Sequence, residues 1–272
     1  MAAVNTPAFT ADIDPAIRAE IDAKLAGIET DHGVRILFAI ESGSRAWGFP
    51  SPDSDYDARF VYAHPQDWYL TLEPGRDVIE LPINDLLDIN GWDIRKALNL
   101  ALKPNPVLLE WLSSPIRYRW SDPVCTALTQ FTEKIAHQTA CRYHYLNLGE
   151  SQWRRHVGDA TEVNVKKYFY ILRPALALRW LRLRPEAIPP MNLQDLVVGL
   201  DLDDATTERI AGLLEAKSRA REVGTGPRIP EIDALIEAEF AAAHAADPMP
   251  KGPSHRDEAD SLFRRIIARD LG

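Results

Sequence analysis

Two aspartates one residue apart, Asp55 and Asp57, head an apolar segment running from Ala58 to Tyr62. A second apolar segment, Val34 to Ile40, runs upstream into Gly43-Ser44, and a short connector with Gly48, Pro50 and Pro52 joins the two. Residues i and i+2 of a strand share a face, so Asp55 and Asp57 project together as a two-pronged oxygen ligand. Such ligands suit a hard cation, Mg²⁺ or Mn²⁺, which takes one or two carboxylates plus substrate phosphates. Gly43-Ser44 leaves a strand end with a bare backbone and a hydroxyl, the chemistry that holds phosphate oxygens. D-x-D after Ser and Pro is also common in solvated turns. The flanking strands and the upstream Gly-Ser favour the ligand reading.

These residues need strands to position them. The near-continuous apolar run from Val34 to Glu41 reads as a strand buried on both faces. A second strand runs from Tyr56 to about Ala63. A third falls within Asp77 to Ile89, broken near Pro82, ending in L-L-D-I-N and stopped by Gly91. Asp14-Pro15 caps a helix with Ile17, Ile21 and Leu25 on one face, up to about Gly27. Residues 64–76 read as a loop or short helix with Trp68, Tyr69 and Leu72 packing back. Asp93 is placed to cap a helix over Ile94, Ala97, Leu98, Ala101 and Leu102 that ends at Pro104. Asn105-Pro106 starts another through V-L-L-E-W-L, and I-R-Y-R-W is a short extended piece. The domain boundary is placed near residue 120.

The remainder reads as helical. Val124, Leu128, Phe131 and Ile135 repeat at helical spacing in a pattern that continues toward Trp153. A helix over about 161–183 carries Pro174, which predicts a kink. Shorter helices fall at about 192–200, 204–222, 230–246 and 256–270. Glu231, Glu237 and Glu239 read as solvated helix positions.

The 272 residues carry 31 Lys plus Arg against 40 Asp plus Glu, a formal charge of −9. That balance excludes a general nucleic-acid sponge, so any contact with RNA needs a local basic patch. One exists: nine Lys or Arg fall between Arg142 and Arg184, opposed only by Glu150, Asp159 and Glu162. Cys125 and Cys141 have no metal spacing and, placed on one predicted helix, cannot reach each other. No histidine pair has zinc spacing. The N-terminus lacks a signal peptide's basic start and apolar core. No apolar run approaches the ~18 residues a membrane helix needs. The expectation is a cytoplasmic protein with no membrane contact.

Gly-Ser, ten intervening residues, then D-x-D between strands resembles the signature of the DNA polymerase β-type nucleotidyltransferase superfamily. The fuller string G-S-R-A-W-G-F-P-S-P-D-S-D-Y-D, with D-I-N-G-W-D-I-R-K-A-L and N-P-V-L-L-E-W-L downstream, is similar to the predicted nucleotidyltransferases of bacterial RNA-repair operons. K-K-Y-F-Y-I-L-R-P looks like that family's helical half. The resemblance implies an α+β fold. A small mixed-sheet, palm-like domain over 1–120 is expected, followed by an all-helical domain over 121–272 that closes the nucleotide cleft.

It also implies Mg²⁺-dependent transfer of a nucleoside monophosphate from an NTP, with ATP the expected nucleotide, to a hydroxyl acceptor. RNA 3′ ends, met through the 142–184 segment, are the acceptor that the family association suggests. Protein or small-molecule hydroxyls, as in AMP capping or antibiotic modification, are the alternative acceptors. A non-catalytic, antitoxin-like nucleotide-binding module is a further alternative. Such chemistry calls for a third carboxylate, from among Asp85, Asp88 and Asp93. Asp88 is favoured because it alternates with Leu87 and Ile89, whereas Asp93 suits a helix cap. Ser44 is expected on a terminal phosphate, and Arg45 either there or on the surface. Trp47 is expected to pack in the core rather than stack on a base. The resemblance assigns Lys166 or Lys167 to the triphosphate, and Arg173, seven residues after Lys166, shares its helix face. The competing reading is a solvated basic face.

Overall fold

The computed structural model describes residues 8–10, 13–83, 86–103, 105–135, 138–219, 224–247 and 253–271, with backbone alone for 138–140. The fold is α+β, with a small mixed sheet and a helical part. The described residues form two compact units. One comprises those of 11–46, 55–136 and 251–272, the other those of 1–10, 47–54 and 137–250.

The first unit opens with α1 (Pro15–His32) and β1 (Arg35–Glu41), followed by the short α2 (Gly43–Ala46) and β2 (Tyr56–Ala63). It continues through α3 (Gln66–Tyr69), β3 (Val78–Glu80), β4 (Leu87–Asp93), α4 (Ile94–Ala101), α5 (Val107–Leu112), β5 (Arg117–Trp120) and α6 (Asp122–Ile135). The five strands lie in the order β3-β4-β2-β1-β5. β1 runs antiparallel to β2 and β5, and β2 runs parallel to β4. Tyr56, Ala58, Phe60 and Tyr62 pack with Ile21, Leu25 and Ile28 of α1. Phe38, Ile40, Val61 and Ala63 pack into a second core with residues of α4, α5, α6 and the last helix, Arg256–Ile267.

Several expectations need correction. α1 runs past Gly27 to His32 and ends on Gly33, whose φ of 60° supplies the left-handed cap. Gly91 does not stop a strand. It lies inside β4, where a Cβ would come within 2.4 Å of the Phe60 ring, so only glycine lets β4 pair closely with β2. Leu72 is fully exposed, while Tyr69 is buried. The boundary expected near 120 does not match the units. Val124, Cys125 and Leu128 of α6 complete the sheet's core, as do Ala259, Leu262 and Ile266 of the last helix.

The second unit consists of α7 (Gln138–His156), β6 (Glu162–Asn164), α8 (Val165–Leu183), α9 (Leu193–Gly199), α10 (Asp204–Arg219), β7 (Thr225–Pro227) and α11 (Pro230–Ala245). β6 and β7 form a two-stranded antiparallel ribbon. Cys125 lies on α6 and Cys141 on α7, on either side of residues 136–137, which fall outside the described residues, and both cysteines are buried. α8 is the axis of this unit, buried at nearly every position from Tyr168 to Leu181 with Pro174 in its interior.

The connector segment Trp47–Ser54 belongs to this helical unit although it joins Gly43-Ser44 to Asp55. Phe49 stacks on Phe169 at 4.9 Å, Trp47 meets the edge of Tyr170, and Gln194 Nε2 donates to the Gly48 carbonyl at 2.5 Å. Trp47 therefore packs inside protein. Among the described residues no helix is long and apolar enough to cross a membrane.

Candidate active site

Strand alternation sends Tyr56, Ala58 and Phe60 into the core and leaves Asp55, Asp57 and Arg59 on the opposite face. The parallel register of β2 and β4 sets Asp57 directly beside Asp88. One guanidinium joins the pair: Arg59 Nη2 donates to Asp57 Oδ1 at 2.8 Å and to Asp88 Oδ2 at 2.7 Å. Its Nη1 donates to the Asp88 carbonyl at 2.8 Å, which fixes the plane of the group. These are charge-assisted contacts between half-buried side chains.

The main chain of Asp57 is clamped from β1. Its N–H donates to Glu41 Oε1 at 3.0 Å, and its carbonyl accepts from the Ser42 N–H at 2.8 Å. Glu41 is buried, and its Oε2 accepts from the Tyr118 hydroxyl at 2.6 Å. Burial pushes the Glu41 carboxyl up to about 7, against the Tyr118 and Asp57 hydrogen bonds, with the Asp57 charge pushing the same way as burial. Burial also raises Asp57. Arg59 opposes that shift, and the Asp55 and Asp88 charges add to it.

Gly43 has a φ of 58°, and a Cβ there would fall 1.8 Å from Asp57 Oδ2. Glycine is thus required twice, for the left-handed turn and for the close approach of the carboxylate. Ser44 is buried. Arg45 Nε donates to the Asp55 carbonyl at 3.2 Å, and its guanidinium lies 3.7 Å over the Tyr56 ring, so Arg45 pins the start of β2.

Asp93 is buried and serves as a cap. Its Oδ1 accepts from the Arg95 N–H at 2.8 Å and its Oδ2 from the Tyr69 hydroxyl at 2.7 Å. Asp85 lies outside the described residues. Lys166 and Lys167 begin α8 in the helical unit, half-buried. Arg173 does not share their setting. It is 3% exposed, with Nε donating to the Met191 carbonyl at 2.8 Å and its guanidinium 5.1 Å from the Trp47 ring centre, a packing role. Arg179 and Arg182 both bond the carboxylate of Glu239, which is buried rather than solvated. Arg142 Nη2 donates to the Asp247 carbonyl at 3.1 Å, so at least four of the nine basic residues of 142–184 are engaged within the fold.

The carboxylates fit a divalent cation in kind. Asp57 and Asp88 already share one positive charge, and Asp55 stands exposed beside them. Among the described residues, no three carboxylate, imidazole or thiolate side chains converge closely enough to hold a metal as they stand. A cation taken up by Asp57 and Asp88 competes with Arg59 for Asp57 Oδ1 and Asp88 Oδ2. Arg59 and Glu41 were not singled out from the sequence. The signal was present in the D-x-D-x-R spacing, which puts an arginine on the same strand face as both aspartates.

Residues 17–265 match the RNA repair pathway DNA polymerase beta family. The "Uncharacterized protein YcgL" of Bacillus subtilis (strain 168) is 46% identical over 220 residues, covering 80% of this chain and 83% of that protein. A solved nucleotidyltransferase-like protein from Exiguobacterium sibiricum 255-15 aligns over 92% of this chain and 89% of its own at 11% identity. Its TM-score of 0.29 is too low to bear on the fold. With Asp57 and Asp88 paired across a mixed sheet behind a Gly-Ser turn, and the match spanning nearly the whole sequence, the chain belongs to the RNA repair pathway DNA polymerase beta family.

Proposed function

We propose that the protein is a divalent-metal-dependent nucleotidyltransferase. It moves a nucleoside monophosphate from an NTP, ATP foremost, to a hydroxyl acceptor with release of pyrophosphate, and RNA 3′ ends are the acceptor. The observation that carries this is the side-by-side register of Asp57 and Asp88, with Asp55 on the same face and the Gly43 turn against Asp57. The family description supports the RNA assignment.

Asp55, Asp57 and Asp88 would hold Mg²⁺ or Mn²⁺, which would neutralise phosphate charge and lower the acceptor hydroxyl's pKa. Glu41 and Ser42 fix the Asp57 backbone, so its carboxylate is oriented before substrate arrives. Arg59 relieves the mutual repulsion of the aspartates in the resting site. Asp88 Oδ1, the oxygen that Arg59 does not engage, is the atom assigned to take the hydroxyl proton. Gly43 keeps the phosphate side of the site free of a side chain.

A second reading, a nucleotide-binding module without turnover, is favoured by one feature: Arg59 already occupies one oxygen of each aspartate. Titration with Mn²⁺ and a non-hydrolysable ATP analogue tests the site at the binding step. Metal-dependent nucleotide binding that disappears in Asp55→Asn/Asp57→Asn supports the proposed site. Undiminished binding in that double variant removes it.

A further inference from the structure

A cavity of about 220 Å³ lies beside the last turns of α8, within the helical unit. Leu178 and Leu181, both buried and one turn apart, give it an apolar wall. Ala242, Ala243 and Ala246 line it from the end of α11, and their short side chains leave open the space that longer ones would fill. Arg142 of α7, Arg182 of α8 and Glu239 of α11 supply its charged lining. A few polar groups around an apolar hollow is the usual make-up of a small-molecule site. A space of ~150 Å³ already holds benzene, so this one takes an apolar body of about six to eight carbons.

The charges around the cavity do not balance. Glu239 is 2% exposed and is shared between Arg179 Nη1 at 2.9 Å and Arg182 Nη2 at 2.7 Å, so one carboxylate meets two guanidiniums. Arg142 adds a third. It donates to the Asp247 carbonyl, its Nε has no acceptor, and among the described residues no carboxylate pairs with it. The ends of α8 and α11 contribute roughly half a negative charge each, which three guanidiniums against one carboxylate outweigh. The surplus beside the apolar wall is positive.

The cavity is separate from the lysines of the same unit. At a rise of about 1.5 Å per residue, Leu178 lies roughly 16 Å along α8 from Lys167. Lys217 of α10 sits among the rings of Phe49, Phe169 and Tyr170, where burial holds its ammonium down to about 7. None of these residues lines the cavity.

We infer that the cavity binds a small amphipathic carboxylate, its apolar body against Leu178, Leu181 and the α11 alanines and its carboxylate on Arg142. A planar guanidinium matches the two oxygens of a carboxylate. A sugar or a polyphosphate would lose water against this lining without gaining enough hydrogen-bond partners.

The test is calorimetric titration of the full chain with sodium octanoate and with 1-octanol. Wild type binds octanoate at least tenfold more tightly than 1-octanol. Arg142→Met removes that preference, and Arg142→Lys keeps most of it. Ala242→Leu, at a half-buried position, fills the cavity and weakens both ligands at least tenfold, which keeps the test decisive if Arg142→Met fails to fold. Lys166→Ala/Lys167→Ala binds octanoate as wild type does. The inference is overturned if wild type does not bind octanoate, or if 1-octanol binds as tightly, the behaviour of a groove for an apolar protein side chain. It is also overturned if folded Arg142→Met or Ala242→Leu binds octanoate undiminished, or if the double lysine variant loses it.

Discussion

Arg59→Gln is the most informative single change in the carboxylate centre. It removes the cation that joins Asp57 Oδ1 and Asp88 Oδ2 and leaves two neighbouring half-buried carboxylates facing each other. A hydrogen bond to a charged group contributes about 1.5–3 kcal/mol. The three side chains keep some solvent contact, which lowers each contribution. A net loss of about 2 kcal/mol follows, or a fall in melting temperature on the order of 4–8 °C in EDTA. The same change frees both carboxylates for a divalent ion. If displacing Arg59 costs wild type about 2 kcal/mol, Mn²⁺ should bind the variant roughly tenfold or more tightly. Thermal melts in EDTA and in MnCl₂, with calorimetric Mn²⁺ titration, read both quantities. A variant as stable as wild type that binds Mn²⁺ no more tightly would show that the guanidinium neither supports the pair nor competes for it.

Gly43→Ala should place a Cβ onto Asp57 Oδ2 in a left-handed turn, at a cost of about 1–3 kcal/mol. Denaturant unfolding and Mn²⁺ titration should show both stability and metal affinity reduced. Asp93→Ala should lose about 1 kcal/mol or more with its cap and the Tyr69 bond, yet keep nucleotide transfer per folded molecule, whereas Asp88→Asn, which weakens its bond to Arg59, should lose transfer altogether in the protein that remains folded. Lys217 gives stability a pH slope. Its folded pKa of about 7 lies below the ordinary lysine value, so between the two the unfolded chain holds the extra proton and stability rises with pH. The slope approaches about 1.4 kcal/mol per pH unit within that window. Lys217→Met should be more stable than wild type at neutral pH and lack the slope, as urea unfolding from pH 6.5 to 9.5 would show.

Local signals explain what could be read from the sequence. The strands of Val34–Glu41 and Tyr56–Ala63 follow from apolar runs, and the helix after Asp93 from its cap and period. The same-face placement of Asp55 and Asp57 needs only strand alternation. Long-range pairing was out of reach. Asp88 lies beside Asp57 because β4 runs parallel to β2 in one particular register, and nothing local specifies that register. Gly91 looked like a strand end because its function is to yield to the Phe60 ring on a neighbouring strand. The connector 47–54 read as a loop, since the partners of Phe49, Gly48 and Trp47 lie more than a hundred residues later. Arg173 read as sharing the Lys166 face of its helix and Glu239 as solvated, and only packing shows that both are buried.

The proposed transfer is tested most directly by incubating the protein with each α-labelled NTP, Mg²⁺ and an RNA oligomer bearing a free 3′ hydroxyl. Label should enter the RNA with release of pyrophosphate. It should be absent with a 3′-blocked oligomer and absent with Asp57→Asn. No label in RNA, protein or small molecules from any NTP, or undiminished label with Asp57→Asn, would contradict the assignment of nucleotidyl transfer to the Asp55–Asp57–Asp88 centre.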